Sequence, residues 1–233
     1  MKRRRIAAAF AVTAALVGGW KALDNNDSVN VSAAAPPVAP QVRASLAELL
    51  DKAKVVESLP RVAGYERSCS TGKHCVFGPA WNDPLDHSGC DTRQRILRAQ
   101  LVETTFKPGT KECKILTGLL HDPYSDTEIR YSATDPTAIE IDHVAALSRV
   151  WNLGAAHWTS RQRAIFANDT ENLLAVSGPL NTMKSDAGID GWLPPNRSFV
   201  CNYIQIYVYV LVKYDLPITR GDRDVAQRQC MRS

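Results

Sequence analysis

Ala138-Ile139-Glu140-Ile141-Asp142-His143-Val144 is the stretch that decides how this chain is read. Ile139 and Ile141 alternate with polar neighbours, the two-residue period of a half-buried strand, and the run ends on a charged pair. A second apolar run, Asn172-Leu173-Leu174-Ala175-Val176, closes at Ser177-Gly178 and reads as a short buried strand. Pro179 then stands where a helix takes its first-turn proline, so a helix is expected to about Asp186, with Gly188 as its stop. Two helical stretches separate the strands: about Ala145 to Trp151, ended by Gly154, and about Ser160 to Ala167, capped by Thr159 or Ser160. The order is strand, helical excursion, strand, helix.

Outward from this centre the signals thin. Thr92 to Gln100 reads as a helix capped by Asp91 or Thr92, and short strands are expected near Lys114–Thr117 and Glu128–Tyr131. The rest of Tyr65 to Pro136 is turn-rich coil. Leu46, Leu49, Leu50, Ala53 and Val56 give a helical period over Val42–Leu59 that Pro60 stops. Tyr203 to Tyr214 is read as a helix on its length. At the start, the basic block Lys2 to Arg5 precedes an uncharged run from Ile6 to Trp20, the layout of an export signal. As a helix that run spans ~22 Å, short of a ~30 Å hydrocarbon core, although an N-terminal membrane anchor stays open. The expected division is residues 1–35 as export signal or anchor, 36–60 as linker and helix, and 61–233 as the main domain.

Of the 233 residues, 45% are apolar and 22% charged, which excludes a disordered, collagen-like or multi-span membrane protein. The net charge of +4 sits mostly at the N-terminus. Beyond residue 35 the chain holds 23 basic and 22 acidic residues, so bulk charge cannot grip a polyanion. Cys69, Cys75, Cys90, Cys113, Cys201 and Cys230 form an even set behind an export signal, which reads as a disulfide framework. Sequence alone does not select among the pairings; neighbours in order are preferred. No C-x-x-C pair supports zinc instead.

Asp142 offers a hard oxygen ligand and His143 a base that titrates near neutral pH. Asn172 follows 29 residues after His143, and Asn181 lies 9 beyond it on the first turn of the next helix. Lys184 shares that helix face at i+3. Two oxygen ligands, a base and a cation are what metal-assisted phosphodiester hydrolysis needs. In this reading Lys184 offsets charge on the phosphoryl oxygens. His74, His87, His121 and His157 lack carboxylate partners at ligand spacing, and Trp81, Trp151, Trp158 and Trp192 read as core. Arg93, Arg95 and Arg98 read as a solvated basic face. Neither a phosphate-binding glycine loop nor a serine-nucleophile elbow is present.

I-D-H-V (141–144), N-D-x-x-N-L (168–173) and L-N-x-x-K-S-D (180–186), with the downstream Gly191-Trp192-Leu193-Pro194-Pro195-Asn196-Arg197, resemble the HNH endonuclease family. The likeness is greatest to its secreted bacterial branch with a GmrSD-like C-terminal domain, and Cys90-Asp91-Thr92-Arg93 and Asp122-Pro123-Tyr124 fit the same branch. The resemblance implies an α+β fold with a ββα-metal core, surrounded by helices and disulfide-stapled loops. It implies Asp142 and Asn181 as ligands of one divalent ion, His143 as general base and Asn172 as the residue holding the base-bearing loop. An amide at position 181 favours Mg²⁺ or Mn²⁺ over Zn²⁺. The expected protein is a secreted or extracytoplasmic monomer, without a small-molecule cofactor, that cuts DNA, with RNA as a second substrate. Little sequence specificity is expected. The rival readings are another metal-dependent hydrolase of the cell envelope and a non-catalytic binding module on the same scaffold.

Overall fold

The computed structural model describes residues 39–231; the export-signal reading lies outside them, as does most of the linker. The first helix, α1 (Pro40–Lys52), starts on a proline and buries Leu46 and Leu50. Its period continues in the sequence towards Leu59, yet the chain turns extended at Ala53. Val55–Val56 (β1) instead pairs in parallel with Ile218–Thr219 (β7), a partner more than 160 residues away that local periodicity cannot reveal.

Asp91 caps α2 (Thr92–Gln100) by accepting from the Gln94 amide, as its position before an apolar-periodic run implies. An antiparallel sheet follows, in the order β2 (Val102–Phe106), β3 (Ile115–Asp122), β4 (Thr127–Ser132). β2 has no counterpart in the sequence reading: it is half exposed, and its register on β3 shifts twice.

The central pair is β5 (Ile139–His143) and β6 (Leu173–Ser177), antiparallel, with Asp142 opposite Leu174 and His143 opposite Leu173. Between them run α3 (Leu147–Leu153) and α4 (Ser160–Ala167), the latter held by a Thr159–Gln162 capping box. β6 feeds directly into α5 (Gly178–Lys184). One apolar cluster joins Ile139, Ile141, Leu173 and Ala175 to Ile96, Leu97, Ile115 and Tyr131. A larger one gathers Val144, Val150, Phe166 and Val176 around α6 (Val200–Lys213), whose Tyr203, Ile204, Tyr207, Val208 and Leu211 are buried. Each such side chain contributes roughly 1.5–3 kcal/mol by leaving water, which is how two short strands are held.

α5 ends at Ser185, in the left-handed region at φ 54°, and not at Gly188. Gly188 serves another need: a Cβ there would lie 2.1 Å from Cζ of Arg149. That guanidinium is buried and donates to Tyr207 Oη at 2.7 Å, Asp222 Oδ2 at 2.9 Å and Asp190 Oδ1 at 3.0 Å. Asp222 belongs to α7 (Arg220–Ala226), where it completes a capping box with Thr219.

The cysteines pair as neighbours in order, Cys69–Cys75, Cys90–Cys113 and Cys201–Cys230. The last ties α6 to the turn after α7, and the set fits an oxidising compartment. The fold is thus α+β with three staples. Among the described residues no helix is long and apolar enough to cross a membrane.

Candidate active site

The end of β5 brings Asp142 and His143 to the mouth of a cleft of about 290 Å³, lined also by Tyr65, Arg67, Asn181 and Asp186. Asp142 is buried, and each carboxylate oxygen has a donor: Tyr124 Oη lies 2.5 Å from Oδ2 and Lys184 Nζ 2.9 Å from Oδ1. Burial, with the Asp142 charge beside it, holds the Tyr124 phenol far above its usual pKa, so it stays a donor. Asp122 builds the turn that places Tyr124, accepting from the Tyr124 and Ser125 amides.

Lys184 is wholly enclosed, and its ammonium also donates to the His143 carbonyl at 2.9 Å. The sequence reading set it over the phosphoryl oxygens. The geometry ends its reach at Asp142 and the strand end, so it steadies the acid. A strand rises ~6.6 Å over two residues and a helix ~4.5 Å over three. The two spacings match well enough that α5 sets Asn181 against Glu140 and Lys184 against Asp142.

His143 Nε2 lies 2.8 Å from the Ala167 carbonyl. A carbonyl only accepts, so Nε2 carries the proton and Nδ1 keeps its lone pair. The Trp81 indole stacks on the ring, 5.8 Å between centroids and 8° from parallel. Burial drives the imidazole down to about 4, leaving it neutral at pH 7 and able to accept a proton.

Asn172 is fully buried. Its Oδ1 accepts from Ala145 N at 2.8 Å, its Nδ2 donates to Ala145 O at 3.2 Å, and its own carbonyl accepts from Val144 N. The chain leaving His143 is thereby stitched to the start of β6. Asn181 Nδ2 donates to Glu140 Oε2 at 2.8 Å. A carboxylate only accepts, so the amide must turn its NH₂ to Glu140 and its Oδ1 away.

The donors that share the cleft are therefore hard oxygens, the Asp142 carboxylate and the Asn181 amide, beside one imidazole. Each Asp142 oxygen keeps a lone pair after its hydrogen bond. A divalent cation bound here would draw on the Asp142 carboxylate and the Asn181 amide oxygen. Among the described residues no three His, Cys, Asp or Glu side chains cluster to hold an ion unaided.

Sequence reasoning missed Trp81, Tyr124, Glu140 and Arg67. Glu140 alone left a local trace, two residues before Asp142 and so on the same strand face. The arginines of α2 are committed within the protein: Arg95 pairs with Asp83, Arg98 with Glu112, and Arg93 donates to the Pro136 and Ile139 carbonyls. His121 lies beside Glu128, away from the cleft.

An acid–histidine strand end, stitched by a buried asparagine and faced by an amide-bearing helix, is thus set in a disulfide-stapled α+β domain. Residues 91–224 match the family described as GmrSD restriction endonucleases, C-terminal domain. That is more than half of the chain, and the chain belongs to this family. A curated relative from Arthroderma benhamiae (strain ATCC MYA-4681 / CBS 112371), described as an uncharacterized secreted protein, is 37% identical over 136 residues. The matched stretch covers 58% of this chain and 63% of the relative, so it spans less than two thirds of that protein. No solved structure matches the chain.

Proposed function

We propose that the protein is an exported, metal-dependent endonuclease of the HNH type that hydrolyses phosphodiester bonds in DNA, and in RNA secondarily, with little sequence preference. In this reading β5, β6 and α5 form its ββα core. The observation that carries it is the tautomer of His143: Nε2 is spent on Ala167 O, which leaves Nδ1 as the basic nitrogen of a ring that lines a cleft with two hard oxygen donors. Export is supported by the three disulfides and by the name of the secreted relative.

Chemically, Nδ1 takes a proton from the water that attacks phosphorus; the new P–O bond forms as the bond to the leaving oxygen breaks. Loss of such a base costs ~10²–10⁴ in rate. Asn172 keeps the strand end fixed so that Nδ1 does not swing away. Tyr124 and Lys184 hold Asp142 aimed, and Glu140 holds the Asn181 amide. A divalent cation bound by Asp142 and Asn181, Mg²⁺ or Mn²⁺, would supply charge neutralisation on the phosphate and the leaving oxygen.

Supercoiled plasmid incubated with the protein tests this. Mg²⁺ should yield nicked and then linear DNA, and EDTA should abolish both. Equal nicking in the two arms, or none in either, would overturn the reading.

A further inference from the structure

Arg67 sits in the cleft beside Asp142, His143 and Asn181, half-buried. Its Nη1 donates to the Gly78 carbonyl at 2.9 Å, and among the described residues it forms no ion pair with a carboxylate. Several other cations of restricted exposure are committed, Arg95 to Asp83, Arg149 to Asp222 and Lys184 to Asp142, and Arg93 and Arg163 each to two or more backbone carbonyls. A guanidinium that is partly withdrawn from water, anchored by one N–H and short of an anion fits a phosphodiester oxygen pair, which its fork can bind through two parallel hydrogen bonds.

The chain around Arg67 is built to hold it there. Cys69–Cys75 closes a small loop, and Cys75 N donates to Ser68 O and Val76 N to Glu66 O. Val76 and Phe77 then plug the loop into the main core. The whole device lies upstream of the family-matched segment, residues 91–224. Tyr65, two residues before Arg67, lines the same cleft with an edge packed on Trp151.

We propose that Arg67, carried by the Cys69–Cys75 loop, is a substrate-binding residue that grips a backbone phosphate of the nucleic acid as it lies across His143. This rests on the nuclease reading and names a part of the substrate grip. A contact of this kind is blind to base sequence and releases about one counterion, so it adds about one unit to the slope of log K against log salt.

The test is binding of a short labelled duplex by fluorescence anisotropy across a salt series, in EDTA so that cleavage does not intervene. Arg67→Gln, which removes the charge, should weaken binding equally for unrelated sequences and lower the salt slope by about one. Arg67→Lys should keep the slope and lose part of the affinity. Joint replacement Cys69→Ser and Cys75→Ser should act like Arg67→Gln. Unchanged affinity and slope in Arg67→Gln would overturn the proposal while leaving the nuclease reading intact. An unchanged slope in the double serine variant would remove the loop from it. A wild-type protein that binds no duplex at any salt would overturn both.

Discussion

Lys184→Met separates a structural from a substrate-facing lysine. The Lys184 side chain has no exposed surface and that of Asp142 only 5%, and their 2.9 Å contact is a charge pair cut off from water. Methionine fills a similar volume but leaves Asp142 with the Tyr124 hydroxyl as its remaining donor. Breaking a buried pair from one side costs about 3–5 kcal/mol, because the surviving charge is stranded. At ~2–4 °C per kcal/mol for a domain of this size, the melting temperature should fall by roughly 6–20 °C. Asp142→Asn should cost a similar amount by stranding the ammonium. Combining the two should cost clearly less than their sum, since neither charge is then left alone. Thermal and urea unfolding by circular dichroism at two salt concentrations reads this directly. A Lys184→Met protein that melts with wild type, and loses only activity, would show the ammonium reaching into solvent and would refute this placement.

Two further outcomes follow from the site. Asn172→Ala removes both side-chain bonds to Ala145, and at about 1–3 kcal/mol for each stranded backbone group it should destabilise by ~2–6 kcal/mol and abolish cleavage; a variant with normal melting would contradict it. His143 has a folded pKa of about 4, below the 6.5 of the free side chain, so between those values the unfolded chain binds the extra proton. Stability should therefore be intact above about pH 6.5 and fall as pH drops towards 4, by on the order of 2–3 kcal/mol. His143→Ala should remove that part of the loss, and the acid limb of kcat/KM should bend well below pH 6.5. An acid limb centred at 6.5 would mean the ring is solvated.

What the sequence disclosed is what local chemistry encodes. Asp91 and Thr159 sit where caps belong, and α2 and α4 follow them residue for residue. Asp142, His143 and Asn181 lie within about 40 residues on elements with clear local periods, and all three line one cleft. The capping box of α7, Thr219 with Asp222, was equally local and was overlooked. Features set by distant partners left no trace: the early end of α1, made by β7, and the early end of α5, because Gly188 had already been claimed by Arg149. Trp81 and Arg67 reach His143 across more than 60 residues of turn-rich chain, and a single sequence gives no period by which to find them. Lys184 was placed on the correct helix face; what could not be read was that the face closes over it.

The central claim is that His143 is the base, and His143→Ala tests it most directly. Initial rates of supercoiled-plasmid nicking in Mg²⁺ should fall by ~10²–10⁴ against wild type. The circular dichroism spectrum should be retained and the melting temperature at pH 7.5 lowered only by the loss of the Trp81 stack and of the bond to the Ala167 carbonyl, leaving the protein folded. A folded His143→Ala protein that nicks DNA at the wild-type rate would contradict the account and send the chemistry elsewhere in the fold.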